Sequence, residues 1–98
     1  MSDWFAVLRT RGTAWDEAVA MRSQPLWDEH RNYMNRIYDE GRVKLAGPLE
    51  TSNQVLLVLT GESAGAVEAM LEDDPWTASG QLQTNWIRLW NVLVGDLV

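Results

Sequence analysis

No cysteine occurs among the 98 residues. Disulfides, thiolate metal sites, thiol nucleophiles and cysteine-held iron–sulfur clusters are excluded together. Histidine is present once, as His30, so a His-rich metal site would need ligands from more than one chain. No metal and no cofactor is expected. Basic residues are few: eight Lys and Arg stand against fourteen Asp and Glu, a net charge of −6. They are also scattered, whereas affinity for a phosphate backbone rests on clustered cations, so nucleic acid and anionic membrane surfaces are not expected partners. Long apolar runs are missing too. No run is longer than the five residues of Val55–Leu59, against the ~20 needed to cross a bilayer. The opening Met1-Ser2-Asp3-Trp4 has no basic region of the kind that begins a signal peptide. A cytoplasmic protein is the expectation.

What the chain does have is bulk. Apolar residues make up 46% of it, and six tryptophans outnumber one Phe and two Tyr. Its length fits a single domain over residues 1–98, so an active site must come from one core or from a subunit interface.

The apolar stretch Trp4–Thr10 breaks at Arg11-Gly12 and reads as a strand. Thr13–Gln24 is mixed, a loop with room for one helical turn. Pro25 is suited to open a helix. From Leu26 on, Trp27, His30, Tyr33, Met34, Ile37 and Tyr38 recur at three- and four-residue spacing until Gly41, an amphipathic helix. Arg42–Ala46 alternates and ends at Gly47-Pro48, a strand closed by a turn. Gln54–Thr60 is apolar on both faces, as in a strand covered on both sides. Ser63 is placed to cap a second helix over Ala64–Glu72, which Asp73-Asp74-Pro75 ends. Trp76–Leu82 reads as a loop containing Gly80. Gln83–Trp90 alternates again, with Trp86, Arg88 and Trp90 on one face and Ile87 and Leu89 on the other.

The order β-α-β-β-α-β predicts an α+β, ferredoxin-like fold: a four-stranded antiparallel sheet with two helices on one face. Two helices cover one side only. The second face, with Trp86 and Trp90 on it, and the apolar tail Asn91–Val98 call for a cover, and a second copy of the chain supplies one, so a homodimer is expected. Of the remaining tryptophans, Trp27 and Trp4 are assigned to the protomer's own packing.

His30 lies on the apolar stripe of the first helix. It reads either as a core histidine satisfied by a hydrogen bond or as a general acid/base, since imidazole exchanges protons near neutral pH. Asp74 ends the second helix, where a carboxylate is misplaced for the helix dipole. Held by Pro75 and Trp76, it would orient and stabilise the ring of His30 if the two meet. Gly47-Pro48 allows close approach of a ligand, or serves a tight turn. Arg9 and Arg88 sit in strands, either snorkelling from strand ends or holding an anionic group of a substrate.

Trp27-Asp28-Glu29-His30, Tyr33-Met34, Gly41, Ala46-Gly47-Pro48-Leu49 and Asp73-Asp74-Pro75-Trp76 with Gly80, in this order, resemble the YciI-like (YCII-related) domain family over about Trp4 to Trp90. The Arg11–Gln24 connection is longer than in the shortest members. The resemblance implies a ferredoxin-like fold pairing as a dimeric α+β barrel, with a His–Asp pair in a pocket that maps to His30 and Asp74. It also implies a relation to lyases and dehydrochlorinases acting on aromatic compounds. The expected function is cofactor-independent acid/base chemistry on a small molecule, with Gly47, Pro48, Trp76 and Arg9 at the substrate pocket. A non-catalytic ligand-binding or protein-interaction module is the alternative.

Overall fold

The structure, a computed structural model, describes residues 3–95. Its strands are β1 (Asp3–Arg11), β2 (Val43–Pro48), β3 (Gln54–Gly61) and β4 (Leu82–Leu89); its helices are α1 (Trp27–Asp39), α2 (Ala64–Glu72) and α3 (Pro75–Ser79). The strands form one sheet in the order β2-β3-β1-β4, with every neighbouring pair antiparallel. This is the ferredoxin-like arrangement expected from the element order.

One face of the sheet carries the core. Phe5 lies opposite Leu59, and Val7 opposite Leu57. These four pack with Val43 against Tyr33 and Ile37 of α1 and Val67, Met70 and Leu71 of α2. The three- and four-residue spacing on α1 thus buries Tyr33 and Ile37, but Tyr38 at its end is 60% exposed. The Tyr33 hydroxyl donates to the Met70 carbonyl, tying the two helices together. Burial pushes its phenol above the ordinary value, and the Asp73 charge adds to the rise.

Ser63 caps α2 as its sequence position predicts, its hydroxyl accepting from the Ala66 N–H. Three local expectations are corrected. Pro25 does not open α1: Leu26 is the N-cap, in the left-handed region at φ 62°, and places the proline outside the helix. Gly47 and Pro48 do not form the turn. They continue β2, opposite Leu56 and Val55, because β2 is an edge strand on which a missing proline N–H costs no ladder bond. The chain reverses after them, at Glu50–Asn53. Finally, Trp76–Leu82 is not all loop. Asp74 caps a short third helix whose first residue is Pro75, and that helix ends at Gly80 in the left-handed region, φ 86°.

The opposite face carries Trp4, Leu8, Leu56, Val58, Trp86 and Trp90, as the register and the alternation along the strands require. Trp4 therefore belongs to this face and not to the core, with the Lys44 ammonium 5.6 Å from its ring. Arg88 lies 5.0 Å over Trp86. No helix among the described residues is long and apolar enough to cross a membrane.

Candidate functional site

Three elements converge on Asp74. β1 alternates Phe5, Val7 and Arg9 onto the helix-covered face, so Arg9 is buried with them and does not snorkel from a strand end. α1 presents His30 from its first turns. The break between α2 and α3 fixes Asp74, whose carboxylate takes the Trp76 N–H at 3.0 Å. The carboxylate that looked misplaced at the end of one helix is therefore well placed at the start of the next, where the exposed N–H groups favour negative charge.

The side chain of Asp74 is fully buried and has three donors. Arg9 Nη1 donates to Oδ2 at 2.9 Å. His30 Nδ1 lies 2.8 Å from Oδ1 and 3.0 Å from Oδ2. The Trp76 N–H completes the set. Burial alone would raise the pKa of this carboxyl. The His30 hydrogen bond and charge, the Trp76 N–H and the Arg9 charge outweigh it and hold Asp74 below the ordinary carboxylate value. An ionised carboxylate only accepts hydrogen bonds, so Nδ1 of His30 carries the proton toward Asp74 and a neutral ring keeps its lone pair on Nε2.

Arg9 also donates through Nη2 to the Thr77 hydroxyl, which passes its own hydrogen to the Leu71 carbonyl at 2.6 Å. Arg9 Nε is buried without a hydrogen-bond partner. The His30 ring lies flat on Trp76, with centroids 4.0 Å apart and an 8° angle between planes. Trp76 is held in turn by its Nε1–H, which donates to the Pro25 carbonyl at 2.7 Å.

Beside this cluster lies a cavity of about 210 Å³. Its walls include His30, Arg9, Gly47, Pro48 and Trp76, so the structure brings every residue singled out for a pocket to one place, with Asp74 behind the ring of His30. Arg88 is elsewhere, on the opposite face of the sheet. Trp27 faces the cavity and is not core packing; its ring centroid is 5.6 Å from that of Trp76. The lining contains Arg9, Arg11 and His30 but no Asp or Glu, in a chain of net charge −6.

The Arg11–Gln24 connection supplies a wall that sequence reasoning missed. Trp15 meets Trp76 edge-on at 5.5 Å, and the Arg11 guanidinium lies 4.7 Å over the Trp15 ring. The connection is pinned at its start, where the Gly12 N–H donates to the Gln81 carbonyl at 2.8 Å. A Cβ on Gly12 would stand 2.1 Å from the Gly80 carbonyl oxygen, so only glycine fits. At its end, buried Gln24 accepts from the Asp16 N–H at 2.9 Å and donates to the Asp16 carbonyl at 2.7 Å. Neither Trp15 nor Gln24 stands in a periodic pattern, so alternation and helical spacing do not expose them. Among the described residues no group of three His, Asp or Glu converges as a metal site would require.

Residues 7–91 match the family model described as YCII-related domain. Among solved structures, the fold is similar to 5-chloro-2-hydroxyhydroquinone dehydrochlorinase from Burkholderia phenoliruptrix AC1100, in complex with 2,5-dihydroxybenzoquinone. The TM-score is 0.62 and the identity 17%, over 90% of this chain and 93% of that one. At that identity the likeness is one of fold. No curated protein matches by sequence.

Proposed function

This chain belongs to the YCII-related domain family, and from that premise we propose that it is a small cytoplasmic enzyme, working as a homodimer, that moves a proton on a small molecule without a cofactor. The observation that carries the reading is the 2.8 Å contact of His30 Nδ1 with the buried Asp74 carboxylate at the wall of a cavity. Asp74 orients the imidazole and stabilises the imidazolium, while Nε2 takes the proton, the division of labour of carboxylate–histidine pairs elsewhere. In an elimination, Nε2 removes a proton from carbon, the C–H pair becomes a new double bond, and the leaving group departs with its bonding electrons. In an isomerisation, the same proton returns to another carbon.

The cavity's composition favours a flat, electron-rich substrate. Trp15, Trp27 and Trp76 offer apolar faces. Arg9 and Arg11 line the cavity as N–H donors, their charges balanced by Asp74 at 2.9 Å and Glu17 at 3.3 Å, and such donors favour an enolate or phenolate as charge develops. A hydroxylated aromatic ring or a conjugated carbonyl compound has this chemistry, and the structural neighbour holds 2,5-dihydroxybenzoquinone.

The test uses 2,5-dihydroxybenzoquinone as probe in deuterated buffer, with tryptophan fluorescence reading binding and proton NMR reading exchange of the ring C–H. Binding by both wild type and His30→Gln is expected. Exchange above the buffer rate is expected in wild type alone, with a loss of ~10²-fold or more in the variant, as for removal of a general base. Equal exchange in the two proteins removes His30 from the chemistry. Binding with no acceleration in either favours a ligand-binding module over an enzyme.

A further inference from the structure

Arg11 and Asn53 line the cavity but take no part in the proton transfer assigned to His30. We propose that they form a second polar subsite, displaced along β1 from His30, which holds an oxygen of the substrate and selects rings that carry oxygens at opposite positions. This deepens the acid/base reading given above and rests on it for the end of the ring that reacts.

The first argument is placement. Arg9 and Arg11 are two residues apart on β1, so alternation puts both on the helix-covered face. There Arg11 pairs with Leu82, itself buried and at the cavity wall. Arg9 marks the His30 end, because both side chains bond Asp74. Arg11 lies ~6.6 Å farther along the strand, at ~3.3 Å per residue. Thr10 pairs with Gln54, so Asn53 falls opposite Arg11, and the Arg11 N–H donates to the Asn53 carbonyl at 3.0 Å. Polar groups thus stand at two levels of a cavity whose other walls include Trp27, Met34, Val55 and Leu57. The separation suits a six-membered ring with an oxygen at each end.

The second argument is hydrogen-bonding capacity. Arg9 has both terminal nitrogens on protein acceptors, Nη1 on Asp74 and Nη2 on Thr77. Arg11 differs. Its Nη1 meets Glu17 at 3.3 Å, and its Nε and Nη2 have no acceptor among the described residues. The Asn53 side-chain amide likewise has no protein partner among the described residues. A guanidinium only donates, whereas an amide donates and accepts, so the pair matches a hydroxyl, a carbonyl or a phenolate oxygen.

Both groups are also held in place. The Arg11 guanidinium lies 4.7 Å over the Trp15 ring. Behind Asn53 the turn between β2 and β3 is fixed by Thr51 in the left-handed region, φ 57°, and by the Leu49 N–H, which donates to the Gln54 carbonyl at 2.9 Å. The Ser52 hydroxyl adds two bonds, donating to the Leu49 carbonyl at 2.7 Å and accepting from the Gln54 N–H at 3.1 Å. Groups fixed in advance bind a ligand without the ordering cost of mobile side chains. A ring with one oxygen satisfies one level of the cavity and leaves the other unpaired. Because Arg11 is 34% exposed at the side chain, water tempers that loss, and the discrimination is that of one or two ordinary hydrogen bonds, ~10-fold.

NMR titrations of hydroquinone and of phenol, followed at the tryptophan indole N–H signals, test the proposal in wild type, Asn53→Ala and Arg11→Met, with circular dichroism to verify folding. Asn53 is exposed, so its variant should fold as wild type does. Wild type should bind hydroquinone ~10-fold more tightly than phenol. In each variant that ratio should fall toward one, the coupling expected between a residue and the ligand group it contacts. Failure of wild type to bind either compound overturns the aromatic-substrate reading and the subsite together. Binding of hydroquinone no tighter than phenol overturns the subsite alone. A ratio that persists in either variant overturns its assignment to the pair. Proton exchange in His30→Gln is a separate measurement, so failure of the acid/base chemistry is distinguishable from failure of the subsite.

Discussion

Replacing Asp74 by Asn keeps the shape of the side chain and removes the charge that Arg9 is paired with. Arg9 and Asp74 are 1% and 0% exposed at the side chain and 2.9 Å apart. Removing one member of a buried pair leaves the other charge uncompensated, at a cost of about 3–5 kcal/mol. At about 4–8 °C per kcal/mol for a domain of this size, the melting temperature should fall by roughly 12–40 °C. Calorimetry and urea titration at neutral pH measure both quantities. The sign of the pH dependence is fixed by the lowered pKa of Asp74 in the folded state. Its contribution is present above the unfolded value of ~3.9 and is lost as pH falls through the folded one. The gap between wild type and Asp74→Asn should therefore be full at pH 7 and close in acid, below about pH 4. Should the variant be too unstable to study, Arg9→Met/Asp74→Asn removes the stranded charge and should recover much of the loss. A variant within ~1 kcal/mol of wild type at pH 7, or a gap that does not change with pH, refutes the reasoning.

Gly12→Ala forces a Cβ to 2.1 Å from the Gly80 oxygen; the backbone must shift, for a loss of about 1–3 kcal/mol, and hydrogen exchange should quicken across Asp16–Gln24. Trp76→Phe deletes the Nε1–H bond to the Pro25 carbonyl, a loss of about 1 kcal/mol with looser packing on His30, to be read from the urea midpoint and from weaker binding of the quinone probe. Ser63→Ala removes the cap of α2 and should cost ~1 kcal/mol in thermal melts while leaving probe binding unchanged, because α2 does not line the cavity.

The strands and the two longer helices are legible because each keeps one period for long enough to be seen. α1 shows a 3.6-residue stripe, and β4 separates Trp86 and Arg88 from Ile87. α3 is different. Five residues are too few for periodicity, and its signature, a capping Asp followed by Pro at the first helical position, was in plain sight but lay beside a pattern that also ends helices. Arg9 misled for a related reason. Alternation places it on the covered face with Phe5 and Val7, but its charge argues for a strand end unless the buried Asp74 is known to meet it. That meeting depends on a separation of 65 residues along the chain, which no local spacing reveals. The tryptophans divide by the same logic. Trp86 and Trp90 follow the strand alternation and stand where it puts them. Trp15 lies within an irregular connection and Trp27 just beyond it, and the connection's fixed ends at Gly12 and Gln24 bring them to Trp76.

Asp74 serves stability and candidate chemistry at once, and the geometry separates the two. Arg9 and the Trp76 N–H hold the carboxylate whether or not His30 is present. His30 in turn sits between the buried cluster and the cavity, with its side chain 12% exposed. Removing the imidazole therefore leaves a carboxylate still paired with a cation, and the folding penalty is that of one hydrogen bond and a stacking contact, not of a stranded charge. Removing the carboxylate strands Arg9. The consequence is an asymmetry: substitutions at Asp74 must be expected to lower stability and chemistry together, so they cannot tell a structural role from a catalytic one. Substitution at His30 can, because a folded protein that still binds the probe but no longer moves its proton has lost only the group that faces the ligand.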